Sequence, residues 1–173
     1  MKYLIPLLFP LMIISFSCKD EVVQPNEYGS GNDYIIYEKI IQYQFAETDY
    51  FIILDDSTKG EYIDAFQIRN ICESIPSLLE ETLNNYLLKK DNKVKLKEIP
   101  NVNSISFSSE INNRPSNSVD VWLSNISYNE LETQAIVTMG AIFGSEAGGG
   151  ILLFLSKENG EWEVKNVYGL WTA

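Results

Sequence analysis

The stretch GILLFLSKENGEWEVKNVYGLW, residues 150–171, decides how this chain folds. Two apolar, aromatic-rich runs flank Asn159-Gly160, a dipeptide whose residues both tolerate the positive φ that a type I′ turn requires, so the stretch is a β-hairpin. Working back along the chain, TQAIVTMGAIF at 133–143 reads as a long strand. VDVWLSNISY at 119–128 alternates as one strand, NRPSNS at 113–118 is a loop, and SISFSSEI at 104–111 alternates Ile105 and Phe107 with serines. The C-terminal half is therefore expected to be an antiparallel meander.

The N-terminal half carries a different period. In YIIYEKIIQYQF, residues 34–45, Ile36, Ile40 and Tyr43 fall at helical spacing, and Asn32 or Asp33 stands where an N-cap belongs. DYFIILDD at 49–56 is a short apolar run ending in turn residues, and it suits a buried strand. A second helix is signalled by Ser77-x-x-Glu80 as a capping box, by Leu79, Leu83, Tyr86 and Leu87 on one face, and by Lys89 and Lys90 at its end. NKVKLKEIP at 92–100 alternates like a strand with a solvated lysine face. Two helices followed by strands with one apolar face predict an α+β fold, the helices packed on one face of a curved antiparallel sheet.

Several residues of the C-terminal half match a known pattern: Ala135-Ile136-Val137, the glycine-rich Gly144 to Gly150, Leu152 to Leu155, Lys157-x-x-Gly160-x-Trp162-x-Val164 and Trp171. They resemble the ending of small exported bacterial proteins with a cystatin-like or nuclear-transport-factor-2-like fold. Catalytic members of that fold place an Asp, Tyr or His inside the cone between sheet and helices. The resemblance thus makes Tyr37, Tyr43, Asp49, Tyr62 and Asp64 candidate pocket residues, without assigning a catalytic role to any of them. Trp122, Trp162 and Trp171 read as core or sheet-face packing before they read as a carbohydrate-stacking platform.

The first residues form an address. Lys2 precedes the apolar run Tyr3 to Ile14, which is shorter than the roughly 20 residues a membrane-crossing helix needs. Small residues Ser15 and Ser17 then lead into Cys18, a placement that resembles the lipobox of bacterial lipoproteins, whose cysteine is acylated, with palmitate for example, and becomes residue one. Cleavage without lipidation and a buried N-terminal helix remain alternatives. The expected organisation is a signal peptide at 1–17, a lipidated tether at 18–33 and one domain at 34–173, held at the bacterial outer membrane. Lys19-Asp20-Glu21 also resembles the surface-export signal of Bacteroidota-type lipoproteins, and a plain charged linker explains it equally. Asp56-Ser57-Thr58 resembles the short O-glycosylation motif of the same bacteria, at Ser57, although the same residues read first as a turn.

Composition narrows the partners. The chain carries a net charge of −11, and loss of residues 1–17 removes one lysine and no acid, leaving −12. Such a surface repels nucleic-acid backbones and favours basic protein partners. Histidine is absent, so Cys72 has no activating imidazole and reads as a small buried hydrophobe. Asp55, Asp56, Glu61 and Asp64 do not follow an EF-hand, and Gly144 to Gly150 lacks the Lys-Ser/Thr ending of a phosphate loop, so no metal or cofactor is called for. The leading expectation is a non-catalytic binding module of a lipid-anchored envelope protein. A pocket enzyme of the dehydratase or isomerase kind, and an inhibitor or immunity protein against a basic toxin or hydrolase, are the alternatives.

Overall fold

The computed structural model describes residues 30–60, 63–102, 104–144 and 147–173. The signal peptide at 1–17, Cys18, most of the tether and Tyr62 lie outside the described residues. Among the described residues three α-helices and a seven-stranded mixed sheet make an α+β domain. In chain order the elements are α1 (Gly31–Phe45), β1 (Phe51–Leu54), α2 (Ala65–Glu73), α3 (Glu80–Lys89), β2 (Ile105–Phe107), β3 (Ser118–Leu123), β4 (Ser127–Tyr128), β5 (Gln134–Phe143), β6 (Ala147–Glu158) and β7 (Glu161–Thr172).

The hairpin stands as the sequence predicts: β6 and β7 pair antiparallel, and the turn holds Asn159 at φ 53° and Gly160 at φ 88°. Strands run in the order β2-β1-β3-β5-β6-β7, with β4 beside β5. The expected all-antiparallel sheet is corrected at one end, because β1 runs parallel to both β2 and β3. VDVWLSNISY divides into β3 and β4, and NKVKLKEIP contributes a single bridge, Lys95 to Ser57, instead of a strand.

Helices on one face is a second expectation the structure corrects. Strand β5 is buried on both sides: Ala135, Val137, Met139 and Ala141 join Ile36, Tyr37, Ile40, Ile41 and Phe45 of α1 in one core. On the opposite face Ile136, Leu152 and Phe154 pack with Ile68 and Cys72 of α2 and with Leu83 and Tyr86 of α3. Alternate residues of a strand point to opposite faces, so the continuous apolar run of β5 serves two layers.

The helix starts also differ. Ser30, not Asn32 or Asp33, caps α1, and it does so in a capping box whose carboxylate is Asp33: Asp33 N–H donates to Ser30 Oγ at 3.4 Å and Ser30 N–H to Asp33 Oδ2 at 2.6 Å. Ser77 makes no box for α3, whose N-cap position is Leu79. The Gln134 side chain, arriving from β5, accepts from Leu79 N–H at 2.8 Å and Thr82 Oγ1 at 3.3 Å and donates to Ser77 O at 2.6 Å. Helix α2 adds a third helix to the two expected; its N-cap is Asp64, which accepts from Gln67 N–H at 2.8 Å.

Candidate functional site

The four candidate pocket residues that are described, Tyr37, Tyr43, Asp49 and Asp64, do not converge. Tyr37 is buried beneath α1 and donates to Ser124 O at 3.1 Å, its phenol pushed well above the ordinary tyrosine range by burial and then by Asp33. Tyr43 is exposed on the outer side of α1. Asp49 lines an open cleft of about 370 Å³ with Gln42, Thr48 and Asn101, whereas Asp64 caps α2 on the other side of the sheet. Ser57 belongs to a pinned loop: Asp56 accepts from Ser108 Oγ at 2.6 Å, Ser57 bridges Lys95, and Thr58 is buried with its hydroxyl donating to Asn92 O at 3.0 Å. Among the described residues no group of three His, Cys, Asp or Glu side chains is arranged to hold a metal ion.

The structure gathers a different set of side chains. Trp122 of β3 stands opposite Gly140 of β5, Gly140 opposite Gly150 of β6, and Gly150 opposite Trp171 of β7. One rung of the sheet therefore reads Trp-Gly-Gly-Trp, on the face that α2 and α3 partly cover. The indoles lean into the space the glycines leave, stacking at 12° with centroids 6.0 Å apart. A Cβ on Gly150 would lie 2.1 Å from Trp171 Nε1, so this glycine is a steric requirement.

A β-bulge aims Trp171. Pairing jumps from Gly169 opposite Ile151 to Trp171 opposite Gly150, leaving Leu170 as the extra residue. Bulges turn a side chain without ending the ladder. Leu170 and Trp171 consequently sit together at the margin of the second core.

Two ion pairs frame the tryptophans. Lys59 Nζ lies 2.6 Å from Asp55 and 4.7 Å from the centre of the Trp122 ring, a cation–π contact. Arg114 grips Asp120 with both nitrogens, at 2.6 and 2.8 Å, and Asp120 shares the face of Trp122 two residues away. On the neighbouring rung Ile142, opposite both Asp120 and Gly148, is 38% exposed. The surface thus combines aromatic area with four charges paired within it.

In the sequence Trp122, Trp162 and Trp171 are indistinguishable as packing residues. Trp162 is 3% exposed and belongs to the α1 core. The signal that separates them is the register of two glycines, which only the strand pairing supplies. No protein-family profile, no curated protein and no solved structure matches the chain.

Proposed function

We propose that this protein is a cell-envelope lipoprotein, anchored to the bacterial outer membrane through acylated Cys18, whose domain binds a partner molecule at the Trp122–Trp171 surface without catalysing a reaction. The observation that carries the binding half is the stacked indole pair, fixed over Gly140 and Gly150 and framed by Asp55–Lys59 and Asp120–Arg114. Pre-positioned aromatic side chains bind at low entropic cost, because little freedom remains to be lost. The anchoring half rests on the apolar run Tyr3 to Ile14 followed by Ser17-Cys18.

The likeness to cystatin-like and nuclear-transport-factor-2-like endings belongs to this reading for the β5–β7 meander alone. A pocket enzyme of that kind ranks below it, since α1 and the α2–α3 pair pack on opposite faces and the candidate acids Asp49 and Asp64 stand apart.

Two measurements on the full chain in its envelope test the proposal. Intact-mass analysis of the membrane-fraction protein is expected to give a chain beginning at acylated Cys18; an unmodified Cys18 would overturn the anchor. A photo-crosslinking residue at position 142, beside the indoles, is expected to yield a discrete adduct in cells that disappears in Trp171→Leu. Absence of any Trp171-dependent adduct would overturn the binding surface.

A further inference from the structure

We infer that the groove between α1 and the β6–β7 hairpin binds a small organic carboxylate, the anion seated between Lys39 and Lys157 and accepting from the indole N–H of Trp162. Two clefts of about 330 and 380 Å³ meet there, the first lined by Ile35, Lys39, Lys157 and Trp162, the second by Lys39, Tyr43, Trp162 and Val164. Lys39 and Trp162 belong to both, so the clefts form one groove. It lies on the α1 face of the sheet, whereas Trp171 packs with the α2–α3 core, and the inference is independent of the Trp122–Trp171 surface.

The donors in this groove lack acceptors. Trp162 is 3% exposed, yet its indole nitrogen has no hydrogen-bond partner among the described residues. A buried donor left unpaired is costly, so its persistence points to an acceptor that arrives from outside. Lys59, Lys90, Arg114 and Lys165 each hold a carboxylate, but Lys39 and Lys157 hold none among the described residues. Lys157 Nζ stands instead 5.5 Å from the centre of the Trp162 ring. As a long flexible side chain it can turn from the ring to an incoming anion and open the indole to it.

The chain is acidic overall, with a net charge of −11, but the acids near the groove are turned away or engaged. Glu161 and Glu163 alternate with Trp162 along β7 and so project from the opposite face. There Lys165 binds Glu163 at 2.7 Å and Glu158 at 2.6 Å. Glu132 accepts from Asn32 at the rim, and Glu38 accepts from Gln42 and Asn101. More distant charges are screened beyond a Debye length of about 8 Å, so two unpaired lysines set the local field. Ile35 and Tyr43, 46% and 59% exposed, stand one helical turn before and after Lys39. A cation flanked by apolar side chains suits a carboxylate that carries an apolar body better than an inorganic anion.

The test follows the indole N–H resonances of the three tryptophans in ¹⁵N-labelled full-length protein in uncharged detergent. Trp122→Phe and Trp171→Phe each remove one resonance and so identify the third as Trp162 without touching the core. The probes are phenylacetate, hexanoate and galacturonate, each beside its uncharged amide, and inorganic phosphate. The expected result is a saturable shift of the Trp162 resonance with at least one carboxylate and none with its amide. Affinity is expected to fall about ten-fold in Lys39→Gln or Lys157→Gln, with unchanged melting temperature. A carboxylate and its amide acting alike, or phosphate alone moving the resonance, would overturn the carboxylate assignment. A Trp162 resonance unmoved by every probe, or binding undiminished in both lysine variants, would overturn the site. The Trp171-dependent crosslink at position 142 is expected to persist in both lysine variants, and its loss there would overturn the separation of the two sites.

Discussion

Tyr37 and Tyr86 reach the same rung of the sheet from opposite faces. Tyr37 of α1 donates to Ser124 O at 3.1 Å, and Tyr86 of α3 donates to Thr138 Oγ1 at 3.1 Å. Between them Ser124 N–H donates to Thr138 O at 2.9 Å, while Thr138 N–H donates to the Ser124 side chain at 2.8 Å. A hydroxyl thus replaces a backbone carbonyl where β3 gives way to β4, and the two cores are joined through a polar rung. Every member is buried.

Ser124→Ala is expected to be the costliest small change on that rung. It strips the acceptor from a buried backbone N–H, a loss of about 1–3 kcal/mol, whereas Tyr37→Phe or Tyr86→Phe removes a hydrogen bond worth about 0.5–1.5 kcal/mol. Urea unfolding of the three variants checks the order. A Ser124→Ala protein as stable as wild type would mean that the rung finds another acceptor.

Gly150→Ala is expected to displace Trp171 and separate the indoles. The added methyl would sit 2.1 Å from Trp171 Nε1, and overpacking of this kind costs about 1–3 kcal/mol. The near-ultraviolet dichroism of stacked tryptophans should fall, and the Trp171-dependent crosslink at position 142 with it. Gly31→Ala, at a position with nothing within 4 Å, should leave both unchanged.

How much of this was readable in the sequence depends on the range of the interactions. The β6–β7 hairpin was readable because Asn159-Gly160 acts locally on the backbone, and β5 was readable as a strand from its apolar length. The second layer of helices was hidden in that same run, since an unbroken apolar strand signals two buried faces and was assigned only one. Helix α2 carries Ile68 and Cys72 at helical spacing, with Ile75 just past its end, a short signal overshadowed by polar neighbours. The Trp-Gly-Gly-Trp rung joins four strands and exists only once their register is set. Candidate pocket residues chosen by type alone scattered, because Asp64 was needed as a helix cap and Tyr37 as a core hydrogen-bond donor.

The N-terminus of α3 depends on a residue far along the chain, so Gln134→Ala is expected to fray it. Losing that borrowed cap should cost about 0.5–2 kcal/mol, in the range of ordinary N-cap deletions. Hydrogen exchange should accelerate first at the Leu79 amide, which donates to Gln134 Oε1 beside the Thr82 hydroxyl. Ser77→Ala should leave that amide protected, since the carbonyl of Ser77 holds Gln134 in place.

Asp56 gives the fold an acid-sensitive contact. Hydrogen bonds from the Ser108 and Ser109 side chains hold its carboxyl below the ordinary value of 3.8. A lowered folded pKa means that the contribution is complete above 3.8 and fades as pH falls through the folded value. Asp56→Asn should therefore be less stable than wild type at neutral pH, with the gap narrowing in acid. Paired urea titrations across that range measure the gap, and one that widens in acid would reverse the sign argued here.

Alkylation tests the proposed anchor at Cys18 beside the buried thiol of Cys72. Cys72 is 3% exposed in the α2–α3 core, and burial pushes its thiol up to about 11, so little thiolate forms at neutral pH. Native full-length protein should leave Cys72 unlabelled by iodoacetamide, and urea should expose it to complete reaction. The proposed acylation leaves Cys18 without a thiol, so on that proposal it should remain unlabelled in urea as well. Peptide mapping that finds Cys18 alkylated in membrane-fraction protein would sink the lipid anchor, whereas rapid native labelling of Cys72 would mean that the α2–α3 layer opens far more readily than its packing implies.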